Sequence, residues 1–312
     1  MSLDPSAQAH LQRLDRLALT QLDQLSPVQA RAQSRWLRAQ LQASPAPADT
    51  APGRLQVQDL RIPGPAGMLA VRLYRPAEAL AAAGPWPGCL FFHGGGWVLG
   101  DLDTQDQECR MLAVEAGCVV VSVDYRLAPE YPFPAAPEDA YAATAWLAAQ
   151  ATAIGIDPAR LAVAGMSAGA NLAAAVTLMA RQRQGPALLA QVLMVPVTHH
   201  HFDTPSYRQC AEGYDLGLRS MRWFWQHYLA RPEDGLHPWA SPLLAPDLTG
   251  LPPALVLVSQ YDPLRDEGVA YARRLREQGV EVHTVFHLGM MHGFQGPEAI
   301  WCVIRYLRTR LA

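Results

Sequence analysis

Six strongly apolar runs, separated by stretches with helical spacing, constrain the fold of this chain more than any other feature of its sequence. They are GCLFFH (88–93), CVVVSVDY (118–125), RLAVAG (160–165), QVLMVPV (191–197), ALVLVSQ (254–260) and VEVHTVFH (280–287). Helical patterns near 104–116, 137–150, 168–184, 267–278 and 297–311 fill the intervals. Runs this apolar suit strands covered on both faces, as in a parallel sheet. Their alternation with helices predicts an α/β protein with a mostly parallel, doubly wound sheet. Two earlier segments, LQVQDLRI and MLAVRLY, alternate apolar with polar residues around a turn at Pro63–Gly67. They are expected to form an antiparallel edge, bringing the sheet to about eight strands.

The N-terminal region obeys a different period. Leu11, Leu14, Ala18, Leu22 and Leu25 recur at steps of three and four, and Pro27 suits the first turn of a second helix carrying Trp36, Leu37 and Leu41. The Pro/Ala-rich segment Ser44 to Gly53 cannot be helical throughout and is the best boundary. Residues 1–45 are therefore expected to be cap helices and 54–312 the main domain. Within that domain, 198–250 has no good strand but contains RSMRWFWQHYL, so it is expected to be a helical insertion that joins the cap.

Composition removes several functions. Apolar residues make up 50% of the 312-residue chain and charged residues 17%, which describes a core-forming globular protein. The 25 basic residues are all arginine, 28 are acidic, and the formal charge is -3. With no basic excess and no arginine cluster interleaved with aromatics, nucleic-acid binding has no electrostatic footprint. Five cysteines without a CxxC pair read as reduced thiols of a cytoplasmic protein. The first residues carry Asp4, Arg13 and Asp15 and no apolar core segment, so a secretory signal is not expected. Twenty uncharged residues between Arg160 and Arg181 are long enough to span a bilayer. Gly165, Ser167, Gly169, Asn171 and Thr177 interrupt them, which fits a buried strand running into a buried helix better than a membrane span.

The serine in that stretch carries chemistry. Gly165-Met166-Ser167-Ala168-Gly169 follows an apolar strand and opens an alanine-rich helix, the setting of a G-x-S-x-G nucleophile elbow. His93-Gly94-Gly95-Gly96-Trp97 follows another strand, and successive glycines leave backbone N–H groups unshielded, as an oxyanion hole requires. A serine hydroxyl needs a base, and the base an orienting carboxylate. His292, in the loop GMMHGF after the last strand, is the candidate base. Asp262, immediately after the strand ALVLVSQY, is the candidate acid. Both lie where an α/β sheet places its ligand crevice. The order Ser167, Asp262, His292 is the α/β-hydrolase order. His199-His200-His201 lacks a carboxylate at ligand spacing and is not read as a metal site. Asp266 and Glu267 open a helix, where acidic residues favour its N-terminal charge. Nothing in the pattern calls for a cofactor.

The segments HGGGWVLGDLDTQD, VVVSVDYRLAPEYPFPAAPEDAYAA, GMSAGANLAA, DPLRDEG and MHGF together resemble the hormone-sensitive-lipase-like family of α/β-hydrolase esterases, over residues 89 to 294. The resemblance implies a carboxylesterase with a helical cap built from the N-terminus and a later insertion. It places the nucleophile on Ser167, the acid on Asp262, the base on His292 and the oxyanion donors on the backbone of Gly94, Gly95 and Ala168. Two residues depart from the family's pattern. Met166 stands where relatives usually have Asp or Thr, and Ala170 where they often have Gly.

Expected chemistry is two-step acyl transfer through an acyl-enzyme. Trp97, Tyr131, Phe133, Trp223, Phe224 and Trp225 are expected pocket walls, favouring small-molecule esters of short or medium chain. The same machinery also serves amide, lactam or carbamate hydrolysis, and a non-catalytic small-molecule receptor on this scaffold is a third reading. The C-terminal IWCVIRYLRTRLA reads equally as a homodimer interface or a core helix.

Overall fold

The computed structural model describes residues 2–42, 53–81 and 84–312. Two helices come first, α1 (Pro5–Arg16) and α2 (Pro27–Gln42). Pro27 is indeed the first residue of the second. The proposed linker lies outside the described residues except for Gly53. A hairpin follows, β1 (Leu55–Gly64) and β2 (Gly67–Pro76), then a short α3 (Ala77–Ala81). Strand and helix then alternate through β3 (Trp86–Phe92), α4 (Asp106–Ala116), β4 (Val119–Asp124), α5 (Ala135–Gln150), β5 (Ile156–Met166), α6 (Ala168–Gln182) and β6 (Ala190–Met194). The insertion carries α7 (Pro205–Gln209) and α8 (Leu218–Tyr228). The chain closes with β7 (Ala254–Tyr261), α9 (Arg265–Glu277), β8 (Val282–Met291) and α10 (Pro297–Arg310).

All eight strands form one sheet in the order β1-β2-β4-β3-β5-β6-β7-β8. The pairs β1–β2 and β2–β4 are antiparallel and every other pair is parallel, as the change from alternating to continuous apolar pattern anticipates. The exception is the last run, expected to be covered on both faces, which forms the edge strand β8 with Phe286 and Leu288 exposed. One apolar cluster holds α5, α6 and α9 against one face, and a second holds α4 and α10 against the other. Ala299, Val303, Ile304 and Leu307 of α10 are buried in that second cluster, while Trp301 is exposed. One face of the C-terminal segment is thus part of the core.

Helix α6 is buried at every position from Ala168 to Ala180, which explains why its sequence is apolar all round. Among the described residues, no helix is long and apolar enough to cross a membrane. The Asn171 side chain, fully buried on α6, donates to Val197 O at 3.0 Å and Ala240 O at 2.8 Å. One amide thereby fastens the central helix to the strand exit after β6 and to the far part of the insertion.

Glu267 and Asp266 lie in the first turn of α9, as expected, and each has a further task. Glu267 is 2% exposed, and its Oε1 accepts the backbone N–H groups of Thr198 (2.6 Å) and His199 (3.2 Å). Burial pushes its carboxyl well above the usual range, while those two N–H groups oppose the shift. Asp266 likewise accepts Ser206 N–H at 2.8 Å. Together the two carboxylates pin the start of the insertion to α9.

Candidate active site

The central strands β3 and β5 end side by side, and the turns that leave them form the floor of the site. Ser167 sits between β5 and α6 with φ +56° and ψ −117°, a conformation that exposes its side chain above the strand. A Cβ on Gly165 would lie 2.2 Å from Gly169 O, and one on Gly169 only 1.9 Å from Phe92 O. Both glycines are therefore required by contact distance. The Ser167 N–H donates to Met194 O at 2.8 Å, and its carbonyl accepts the N–H groups of Asn171 (3.0 Å) and Val197 (3.5 Å).

The structure brings the three residues singled out in sequence into one hydrogen-bonded chain. His292 Nε2 lies 2.9 Å from Ser167 Oγ, and His292 Nδ1 lies 2.8 Å from Asp262 Oδ2. Asp262 Oδ1 accepts the Leu264 N–H at 2.8 Å, which fixes the carboxylate's orientation. Ser167 and His292 are each 8% exposed and Asp262 is fully buried. Burial pulls the His292 pKa down, but the Asp262 charge, the hydrogen bond to it and the nearby Asp215 charge together raise it above the usual imidazole value. Gln295 Nε2 holds the His292 carbonyl at 3.1 Å. Such a chain can move a proton from hydroxyl to imidazole while a buried carboxylate steadies the resulting charge.

The glycine loop requires one correction. Gly94 N–H donates to Gln105 Oε1 at 3.0 Å, so it is not free to receive a developing oxyanion. Among the described residues, Gly95, Gly96 and Ala168 have no protein acceptor for their N–H groups. The free pair in the loop is thus the second and third glycine. Three consecutive glycines look equivalent in sequence, and only backbone geometry separates them. His93 serves the loop rather than the reaction. Its Nδ1 bonds Gly94 O at 2.8 Å, its carbonyl accepts Tyr125 Oη at 2.8 Å, and the two rings stack at 4.2 Å. Burial brings its pKa down to about 4, so the ring is neutral at pH 7 and donates through Nδ1.

Of the expected aromatic walls, Phe224 packs against Gly96 of the glycine loop. Trp97 and Trp225 are buried, and Trp97 stacks on Tyr228 at 3.9 Å, with Phe133 edge-on to the same ring at 5.7 Å. Trp223 is buried on α8, its Nε1 donating to Leu25 O, while Tyr131 is half exposed beneath the Arg126 guanidinium. These residues make core and surface contacts, and aromatic side chains fill cores as readily as pockets. A cavity of about 440 Å³ lies instead among Leu11, Leu14, Leu37, Leu99, Tyr214 and Asp215, between the N-terminal helices and the insertion. It adjoins the site through Leu99, beyond the glycine loop, and through Asp215, which accepts Gly293 N–H. His199 and His201 face each other at 5.3 Å and His200 packs on Trp225.

The α/β hydrolase fold model matches residues 89–296. The chain belongs to the hormone-sensitive-lipase-like family of α/β-hydrolases. Among members of this family, it is 44% identical to the carboxylic ester hydrolase LipN of Mycobacterium tuberculosis over 264 residues, covering 83% of this chain and 68% of that protein. It is 45% identical to the ethyl acetate hydrolase of Pseudomonas putida over 230 residues, 72% of this chain and 71% of the other. The crystal structure of a thermostable esterase from Pseudomonas putida superposes with a TM-score of 0.91 at 38% identity, covering 100% of this chain and 98% of that one.

Proposed function

We propose that this hydrolase is a serine carboxylesterase in which Ser167 is the nucleophile, His292 the general base and Asp262 the orienting acid. The observation that carries the assignment is the unbroken pair of hydrogen bonds from Ser167 Oγ through His292 to Asp262, beside three backbone N–H groups that have no acceptor among the described residues. His292 removes the hydroxyl proton as Ser167 Oγ attacks the ester carbonyl. Gly95, Gly96 and Ala168 receive the oxyanion, each donor being worth about 10²-fold in rate. The imidazolium then protonates the leaving alcohol. Water, activated by the same imidazole, releases the acid from the acyl-enzyme. Ester hydrolysis is supported by relatives named as ester hydrolases across the catalytic region.

The substrate class proposed is a small neutral ester. The cavity of about 440 Å³ beside the site, which Leu11, Leu14, Leu37 and Leu99 line together with polar residues such as Gln33, Ser34 and Asp215, is of a size that supports short or medium chains. We assign residues 1–45 and 198–250 together to a cap. Arg31 Nε on α2 donates to Val98 O at 2.8 Å, Arg38 pairs with Asp101, and the α8 residue Trp223 bonds Leu25 O. These contacts seat the N-terminal helices over the glycine loop. A cytoplasmic location belongs to the same proposal and is supported by five free thiols, four of them buried.

The test is a ladder of 4-nitrophenyl esters, with matching anilides, assayed on wild type and Ser167→Ala. Ester turnover that declines with chain length and vanishes in Ser167→Ala is expected, together with covalent labelling of Ser167 by a fluorophosphonate. Unchanged turnover in Ser167→Ala overturns the assignment, and preferential anilide cleavage moves the enzyme to amide chemistry.

A further inference from the structure

One carboxylate next to the site belongs to neither the triad nor the oxyanion loop. Asp215 lies in the insertion, between α7 and α8, and its Oδ2 accepts the backbone N–H of Gly293, the residue that follows His292. Oδ1 accepts the N–H of Leu216 at 3.0 Å. Glycine at 293 leaves room for this approach: a Cβ there would lie 2.1 Å from Asp215 Oδ2, and the carboxylate would have to move aside. Asp215 also lines the leucine-rich cavity, so the carboxylate stands between the cavity and the base.

We propose that Asp215 is a positioning residue for His292: it anchors the histidine loop to the insertion and stabilises the imidazolium formed during acyl transfer. This rests on the assignment of His292 as the base. Two features support it. Within the His292 loop the backbone is held by short-range bonds, Met291 N–H to Phe294 O at 3.1 Å and Gln295 to the His292 carbonyl, while the His292 ring reaches Asp262 and Ser167 and the Asp215 contact ties the loop to the insertion. The imidazole then faces two carboxylates, Asp262 through a direct bond and Asp215 through space, and both favour its charged form.

Other charged or titratable groups bear on the pair. From α1, His10 stacks on Phe294 at 4.8 Å, interacts with Asp215 and has Arg13 beside it. From the insertion and α9, Cys210, Tyr207 and Glu267 interact with Asp262. None of these hydrogen-bonds the His292 ring or Gly293. The Asp215 carboxyl stays above the usual range because burial and the Asp262 charge raise it, while the His292 charge and the Gly293 N–H offset only part of that rise.

The experiment is the pH profile of kcat/KM, with kcat and KM resolved, for wild type, Asp215→Asn and Asp215→Ala on a neutral short-chain ester. Asparagine keeps an acceptor for Gly293 but removes the charge. Its acid limb is expected to move to lower pH by about half a unit to one unit, with KM unchanged. Alanine removes both, and kcat is expected to fall about tenfold or more, again with KM nearly constant. Asp215→Asn is close to isosteric and carries the test should the alanine variant fail to fold, as judged by its circular dichroism. A wild-type acid limb in Asp215→Asn overturns the charge role, and wild-type kcat in a folded Asp215→Ala overturns the anchoring role. Activity surviving in Ser167→Ala is a different failure, that of the underlying esterase assignment.

Discussion

The side-chain amide of Gln105 lies 3.8 Å from the sulfur of Met166, with its NH₂ as donor to the thioether. The carbonyl of the same amide accepts Gly94 N–H. A single neutral side chain thus couples the oxyanion loop to the residue preceding the nucleophile, at a position where the family usually has Asp or Thr. Thioether sulfur is a weak acceptor, so most of the support must come from the Gly94 bond. Gln105→Ala is expected to lower kcat about tenfold with little change in KM, whereas Met166→Leu should cost less than about threefold. Steady-state kinetics on the two variants would reverse this ranking if the sulfur contact dominates.

The pH dependence follows from the sign of the His292 shift. The base must be neutral at the start of the cycle, and Asp262 and Asp215 raise its pKa above that of a free imidazole despite burial. The acid limb of kcat/KM should therefore lie above about 6.5, with a plateau in mild alkali. In stability the same shift acts oppositely. Because the folded value is the higher one, the contribution is complete below the unfolded pKa and is lost as pH rises through the folded pKa. Chemical denaturation between mildly acidic and mildly alkaline pH measures that second effect independently of activity.

Gly96 is confined twice. Its φ is +58°, and a Cβ would lie 2.1 Å from the Phe224 ring. Gly96→Ala should lower kcat at least about tenfold, since a displaced loop removes an oxyanion donor. Combining it with Phe224→Ala relieves the clash and should restore part of the rate. No recovery in the double variant would show that backbone conformation alone sets the requirement.

Asn171→Ala leaves the carbonyls of Val197 and Ala240 without their side-chain donor in a buried setting. A loss of about 1–3 kcal/mol of stability is expected, measurable as a lower urea midpoint. Activity of the folded fraction should change far less, because Asn171's amide touches none of the reacting groups.

The sheet and the triad were legible because each rests on a pattern the chain must display. Strands buried on both faces read as apolar runs, and the elbow's glycines are dictated by distances to Phe92 O and Gly169 O. Ser167, Asp262 and His292 each follow a strand, so their order along the chain carried spatial meaning. Gln105 and Asp215 gave no such signal. They act on backbone N–H groups 11 and 78 residues away, and neither periodicity nor spacing encodes a contact of that kind. The choice between Gly94 and Gly96 depended on one hydrogen bond. The aromatic residues carried a weaker signal, since Trp97, Trp225 and Phe133 pack on one another around Tyr228, and bulk in a core and bulk in a pocket wall look the same in sequence.

The nucleophile's peptide is tethered to Met194, Asn171 and Val197. Freedom at Ser167 therefore reduces to a single swivel about Cα–Cβ with a stationary pivot. Every acyl group carried on its oxygen starts from the same anchored peptide.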